Sequence, residues 1–312
     1  MQISRIVYVN LLLLSCLIIF GSCKTHTNDP IKIGTNSWIG YEPLYLARNL
    51  DYYKDCPVSL TQMPSASDVM RAFRNGLIDC ATLTLDETYT LLQDSIDVKM
   101  LFIMDISNGA DVIMSKPEIK TLADLKGKRI GVESSAVGAY TLCRALEIGK
   151  ISPHDITQIT LIEADLINAF KSGEVDAVVT FEPYRSQLLK SGANVVFDSR
   201  QIPNEIFDVF IVNADIYKKR EADFLKLKEI WFQSLKYIKE NPDKTNSFIC
   251  KRLGFSNDEF EKSLNGIIWP NKNQNKSLME NEFKNSSKRI VDIMVRENLL
   301  ENIVDPEKLK IK

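Results

Sequence analysis

The chain has 312 residues, 45% of them apolar, and a formal net charge of −2. That length and apolar content support a large core, ordinarily divided between two domain-sized bodies. A balanced charge without basic runs or low-complexity tracts excludes an electrostatic nucleic-acid binder.

The first twenty-odd residues have the features of an export segment. Arg5 is followed by an apolar run from Ile6 to Phe20, broken only by Asn10 and Ser15. This run is short for a membrane span, which needs about 20 apolar residues, and it suits a secretory h-region. Gly21 and Ser22 then precede Cys23, an arrangement similar to the bacterial lipobox, although Phe20 stands where Leu is usual. Residues 1–22 are therefore expected to be a signal peptide, with Cys23 the lipidated first residue of the mature chain and 23–30 a polar tether. An uncleaved anchor is the alternative.

Beyond the tether the pattern alternates strand and helix. Ile31–Gly34 reads as a strand, and Pro43 can open a helix because its missing N–H is not needed there. Ser67 is placed to cap a second helix that stops at Gly76. Strands follow at 78–84, 98–106 and 111–114, with a helix over 86–92. Thr121 and Asp124 match a capping box before a one-turn helix ending at Gly127. A strand at 129–132 leads through Ser134 and Ser135 into a helix to Gly149. Strands at 160–162, 176–180 and 194–197 alternate with helices starting near Asp165 and Tyr184. A strand at 208–212 is followed by helices over 216–240, 244–253, 258–264 and 277–297. Alternation of this kind favours mainly parallel sheets covered by helices on both faces.

One segment recurs. Asp68, Ala72, Phe73, Gly76 and Asp79 are matched by Asp165, Ala169, Phe170, Gly173 and Asp176, each 97 residues on. Both copies lead into an apolar strand followed by an acid, Asp86 in one and Glu182 in the other. Two similar lobes presenting strand-end groups to one cleft would give this pattern, as would chance agreement of a common helix–Gly–strand unit.

Among the cysteines, Cys56, Cys80, Cys143 and Cys250 lie beyond the export segment with neither CxxC nor zinc spacing. Export permits disulfides, but no pairing is readable; buried free thiols are expected at Cys80 and Cys143. Only His26 and His154 are present, so neither a His-based triad nor a multi-histidine metal site is expected.

Three stretches carry a family resemblance: Gly34–Ala47 (GTNSWIGYEPLYLA), Thr121–Val132 (TLADLKGKRIGV) and Asp176–Tyr184 (DAVVTFEPY). Together they resemble the substrate-binding proteins of the nitrate/sulfonate/taurine type, a superfamily that also includes binders of thiamine pyrimidine precursors. The resemblance implies a two-lobed type II periplasmic-binding-protein fold, α/β with a ligand cleft between the lobes. It further implies an ABC permease as partner, no cofactor, no catalysis, a monomer and residence outside the cytoplasmic membrane. The chain is expected to cross between lobes near 107–111 and 212–215. Lobe one is then 31–108 with 214–312, and lobe two 109–213. Pyrimidine-precursor synthases of the same fold, which hold pyridoxal phosphate on a lysine and consume a histidine, are the enzymatic alternative; the export segment and the scarcity of histidine weigh against it. A receptor's sensing domain is a weaker alternative, because no signalling segment follows.

In open parallel sheets, ligands sit beyond the carboxyl ends of strands. That rule selects Ser37 and Trp38, Asp86, Ser134 and Ser135, and Glu182, with Tyr41 at the rim. Trp38 can stack on a ligand or pack against its own lobe. The serines can offer helix N-terminal N–H groups to an anion or simply cap. Glu182 and Asp86 can hold a donor on the ligand, and Glu182 can instead support the turn at Pro183. Nitrate, sulfonates, taurine-like zwitterions and pyrimidines all remain open as ligands.

Overall fold

Two β-sheets grow around inner strands buried on both faces, with more polar, exposed strands such as VSLTQ (58–62) and TQIT (157–160) at their edges. The computed structural model describes residues 29–135 and 137–311; the export segment and Cys23 lie outside them. The first sheet begins with β1 (Ile31–Thr35), β2 (Val58–Gln62), β3 (Cys80–Thr84) and β4 (Val98–Ser107). The helices between them are α1 (Glu42–Asn49), α2 (Ala66–Arg74) and α3 (Leu85–Gln93). The chain then enters the second sheet: β5 (Val112–Ser115), β6 (Arg129–Val132), α4 (Val137–Gly149), β7 (Thr157–Thr160), α5 (Glu163–Ser172), β8 (Ala177–Thr180), α6 (Tyr184–Lys190) and β9 (Asn194–Asp198). It returns with β10 (Phe207–Asn213) to the first sheet. The helices α7 (Ala214–Lys219), α8 (Glu221–Glu240), α9 (Pro242–Leu253) and α10 (Asn257–Leu264) follow. Short β11 (Ile267–Ile268), α11 (Lys272–Ser277) and α12 (Phe283–Arg296) complete the fold.

The strand orders are β11-β4-β10-β3-β1-β2 and β7-β6-β8-β5-β9. The sheets are mixed, which corrects the expectation of mainly parallel pairing. In each, three strands run parallel (β2-β1-β3 and β7-β6-β8), and the next strand, β10 or β5, runs against them. The reversed strands are the first to follow each passage between sheets, so they re-enter from the cleft side.

The return passage also differs from expectation. It occupies 199–206, before β10 rather than after it, so residues 207–213 belong to the first sheet and not to the second. β10 sits between β3 and β4, where Val209 and Ile211 face one core and Phe210 and Val212 the other. This burial on both faces is what an unbroken apolar strand requires, and each large apolar side chain so buried contributes about 1.5–3 kcal/mol.

The recurring segment has a structural counterpart at the same offset. Asp79 accepts the backbone N–H of Lys32 at 2.9 Å, and Asp176 accepts that of Arg129 at 3.0 Å. Ile33 pairs with Cys80 as Ile130 pairs with Ala177. Gly76 and Gly173 both adopt positive φ, +66° and +80°, which favours glycine there.

Local expectations fail where capping chemistry was ambiguous. Ser65, not Ser67, caps α2, accepting from Asp68 N–H at 3.1 Å. The helix expected over 216–240 breaks at Arg220, whose φ of −132° leaves the helical region. That expected over 277–297 begins at Phe283, after a π-type turn at Leu278–Glu282. Cys56, Cys80, Cys143 and Cys250 are all free thiols; Cys80 is buried and Cys143 half-buried.

Candidate functional site

Strand register builds the floor of a cleft between the sheets. Asp208, at the start of β10, pairs with Thr84 on one side and Asp105 on the other, which places three polar side chains in a row at the cleft end of the first sheet. In the second sheet Val112 pairs with Thr180 and Asp198, which sets Asp111 beside the end of β8. The β1–α1 loop covers this floor. Trp38 donates its Nε1–H to both oxygens of Asp105 at 3.2 Å, and Tyr41 donates its hydroxyl hydrogen to Asp208 Oδ1. Phe181, from the end of β8, meets the Trp38 ring edge-on at 5.4 Å between centroids, so the two sheets touch over the cleft.

Two cavities share Asp111, Val137 and Phe181. One, with about 20 Å³ of free space, is lined also by Asn36, Trp38, Tyr41, Thr84, Glu87 and Asp208. The other, also with about 20 Å³ of free space, has Glu133, Glu163 and Thr180 among its walls. Neither is lined by a lysine, arginine or histidine.

The electrostatics are one-sided. Burial pushes Asp105 and Asp111 up to about 7 and Glu87 to about 8, and raises Asp208 and Glu163 well above the carboxylate range. Repulsion from neighbouring carboxyls adds to burial at each of these positions. Removing an ionised carboxylate from water without a cation costs several kcal/mol, so burial favours the protonated form of these groups while the cleft is empty, and a cation beside them would favour the ionised form.

Two carboxylates bridge the sheets reciprocally. Glu87 of α3 accepts the N–H of Val137, the first residue of α4, at 3.2 Å. Glu133, after β6, accepts the N–H of Ser67 in the first turn of α2 at 3.3 Å and also the Ser67 hydroxyl. The N-termini of α2 and α4 are thus each met by an acid from the opposite sheet, as the helix dipole favours.

The residues selected from sequence divide accordingly. Trp38 and Tyr41 line the first cavity. Ser37 is half-buried beside Trp38 and lines neither cavity. Asp86 is buried, but the next residue, Glu87, is the one that reaches the cavity. Ser134 pairs with Thr160 at 2.8 Å and Ser135 with Ser67 at 2.6 Å, hydroxyl to hydroxyl. Of the helix N-terminal N–H groups that follow these serines, that of Val137 meets Glu87. Glu182 is fully buried and turned into its own corner, accepting from Arg185 Nη1 at 3.0 Å, Ser186 N–H at 3.2 Å and the Ser186 hydroxyl at 3.1 Å. It supports the turn at Pro183 and does not line the cleft. Sequence reasoning missed Glu87, Asp105, Asp111, Glu163 and Asp208. For Asp105 and Asp208 there was a signal: each interrupts an apolar strand where a buried side chain is required.

Gly40 makes the Trp38–Asp105 contact sterically possible, because a Cβ at position 40 would collide with both side chains. Gly40→Ala is expected to displace the indole and to cost about 1–3 kcal/mol, the range for overpacking. Denaturant unfolding followed by tryptophan fluorescence checks this; an unchanged midpoint and emission spectrum would show that the loop relaxes freely.

The architecture of two mixed sheets with a cleft at their strand ends is that of the periplasmic binding proteins. The fold matches the alkanesulfonate-binding protein SsuA from Xanthomonas axonopodis pv. citri with a TM-score of 0.74 at 19% identity, over 88% of this chain and 95% of that one. It matches the periplasmic nitrate-binding protein NrtA from Synechocystis PCC 6803 with a TM-score of 0.73 at 13% identity, over 89% and 84%. In sequence, the chain is 28% identical over 177 residues to an Escherichia coli (strain K12) protein assigned as an aliphatic sulfonates-binding protein. That match covers 56% of this chain and 55% of the relative, so the chain spans about half the relative's length. The profile of the NMT1-like family matches residues 24–254, and the chain belongs to that family.

Proposed function

We propose that this protein is the extracytoplasmic solute-binding component of an ABC importer and holds a small polar solute between two lobes that close about a hinge. The observation that carries this reading is the shared cleft: strand ends of both sheets face it, and Trp38 meets Phe181 across it. The names of the sulfonate- and nitrate-binding relatives support transport as the role. Lobe one would comprise the first sheet (31–107 and 207–311), lobe two the second (112–198), with 108–111 and 199–206 as the hinge. Trp38 and Tyr41 would contact the solute; Ser37, Asp86, Ser134, Ser135 and Glu182 would act from behind the cavity wall.

Binding without turnover is favoured over the pyridoxal-phosphate alternative, because neither cavity presents a lysine to hold an aldehyde cofactor or a histidine to be consumed. No helix of the described residues is long and apolar enough to cross a membrane. Attachment would rest on a lipid at Cys23, the proposed first residue of a monomeric mature protein, a reading supported by Gly21 and Ser22 before that cysteine. Cys23→Ser is expected to release the protein from the membrane fraction or to block its processing; unchanged attachment and processing would rule the anchor out. For the binding role, small-angle scattering with and without saturating solute should show one compact form gaining population, with one solute bound per chain. Identical profiles would rule out hinge closure, and chemical conversion of the solute would rule out a purely binding role.

A further inference from the structure

We infer that the cleft takes an organic cation bearing N–H donors, a protonated amine or amidine, and that Asp105, Asp111, Asp208 and Glu87 hold its positive charge. This rests on the solute-binding reading and departs from the sulfonate and nitrate ligands for which the relatives are named. The argument starts from what lines the space. Asp111, Asp208 and Glu87 line the first cavity, and Asp105 lies directly behind Trp38 in the same row as Asp208. Two of the helix N-termini beside the cleft, those of α4 and α2, are already engaged by Glu87 and Glu133. A sulfonate or nitrate entering here would meet carboxyl oxygens on several sides and no guanidinium or ammonium. Such an arrangement offers an anion no counter-charge, whereas a cation is matched by carboxyls that ionise against it.

A second, independent observation points to a ligand with donors. Glu163, which lines the second cavity and is 1% exposed, has Asn36 and Tyr184 beside its carboxyl, but neither oxygen is held in a well-formed hydrogen bond. The hydroxyl of Thr180, on the wall of the same cavity, also lacks a partner. Buried polar atoms are nearly always paired in folded proteins. Unpaired acceptors of this kind, in the walls of cavities that share Asp111, Val137 and Phe181, are what an N–H-rich guest would satisfy. The rings of Trp38, Tyr41 and Phe181 give such a guest aromatic walls, and a cation is attracted to an aromatic face. The charge would sit in the Asp105–Asp208–Asp111 corner, with the remainder of the molecule extending past Val137 toward Glu163.

The test is a thermal-shift and calorimetric titration of the full-length protein at pH 8. Probes fall into three sets: organic cations (benzamidine, phenethylamine, agmatine and 4-aminopyridine), anions (ethanesulfonate, taurine and nitrate) and inorganic cations (Ca²⁺ and Zn²⁺). Saturable stabilisation is expected from the organic cations. Asp208→Asn should lower their affinity about 100-fold or more, as expected when one partner of a buried charge pair is removed. The variant retains an oxygen for the Tyr41 hydroxyl, and an unshifted melting temperature without ligand verifies its fold. Glu163→Gln serves as a second probe if that control fails, and it should weaken agmatine more than benzamidine. Stabilisation by the anions alone, or by Ca²⁺ or Zn²⁺ alone, overturns the ligand class and leaves the binding role standing. Cation binding that survives both substitutions overturns the assignment of these carboxyls. If no member of any set binds, the ligand class and the solute-binding reading fall together.

Discussion

Between pH 5 and pH 8 the ligand-free protein should lose stability steadily, the reverse of what surface ion pairing would produce. The groups responsible are the carboxyls of the cleft. Asp86 is pushed by burial to about 6, Asp105 and Asp111 to about 7 and Glu87 to about 8, and Asp208 and Glu163 are also raised. In the unfolded chain each ionises near 4. Across the window the folded state therefore binds more protons than the unfolded state, and the linkage slope of unfolding free energy against pH is negative. The groups facing these carboxyls are Tyr41, Trp38, the threonines of the strand ends and one another, so no cation offsets the charge as it develops. Each pKa unit corresponds to about 1.4 kcal/mol. Because ionisation of one carboxyl opposes that of the next, the net loss is on the order of a few kcal/mol. Asp176, held low by Arg129, and Glu259, held to about 2 by Lys190 and Ser256, contribute stability that is lost only on acidification below about 4. They leave this window untouched. Melting temperature measured from pH 5 to 8 in buffers of matched ionic strength decides the matter. A flat or rising curve would mean that the cleft carboxyls are ionised and hydrated at neutral pH.

Replacing Glu205 should have the largest effect of any single change outside the cleft. Glu205 lies in the 199–206 passage between the sheets, with its side chain 3% exposed. It accepts the Tyr140 hydroxyl at 2.8 Å and Arg144 Nε at 2.7 Å and Nη2 at 3.2 Å, and Arg289 of α12 stands 3.7 Å away. It thus joins α4 of the second sheet, the passage itself and the terminal helix in one network. Glu205→Ala would leave the guanidinium of Arg144, whose side chain is only 14% exposed, without its main partner and would orphan the Tyr140 hydroxyl. Breaking a buried pair from one side costs about 3–5 kcal/mol. Glu205→Gln, which keeps an acceptor oxygen but not the charge, should lose less. Chemical denaturation of the two variants checks the order, and equal stability of Glu205→Ala and the parent would show that Glu147, which also contacts Arg144, takes over the charge.

The alternation of strand and helix, the 97-residue repeat and the strand-end rule were all legible in the sequence, because each depends on local patterning. Trp38 and Tyr41 were reachable by the same rule. What was not legible depends on register and passage. Nothing local distinguishes a β10 that follows the return crossing from one that precedes it, since its apolar run suits either sheet. That one ambiguity hid the Asp105–Asp208 pairing, which exists only because β10 lies beside β4. Glu87 was concealed by its neighbour: Asp86 and Glu87 open the same helix, and only the helical rotation decides which of the two faces the cavity. Glu182 misled for the opposite reason. An acid at a strand end satisfies the rule, but Ser186 and Arg185 lie one turn on and draw it into its own corner.

The two reciprocal carboxylate contacts, Glu87 to the start of α4 and Glu133 to the start of α2, bear on how the populations of open and shut forms are set. On opening, each N–H and each carboxylate would exchange its partner for water, and such exchanges are worth about 0.5–1.5 kcal/mol per hydrogen bond, or up to about 3 where a charge is involved. Two contacts of that size tilt the equilibrium without locking it. The guest's difference in affinity between the two forms then decides the outcome, and a preference of about ten thousandfold is needed to carry a molecule from nearly always open to nearly always shut. Distance measurements between labels on α2 and α4 in the absence of any guest would give the starting ratio. A shut fraction near zero would mean that the reciprocal contacts form only after the guest has arrived.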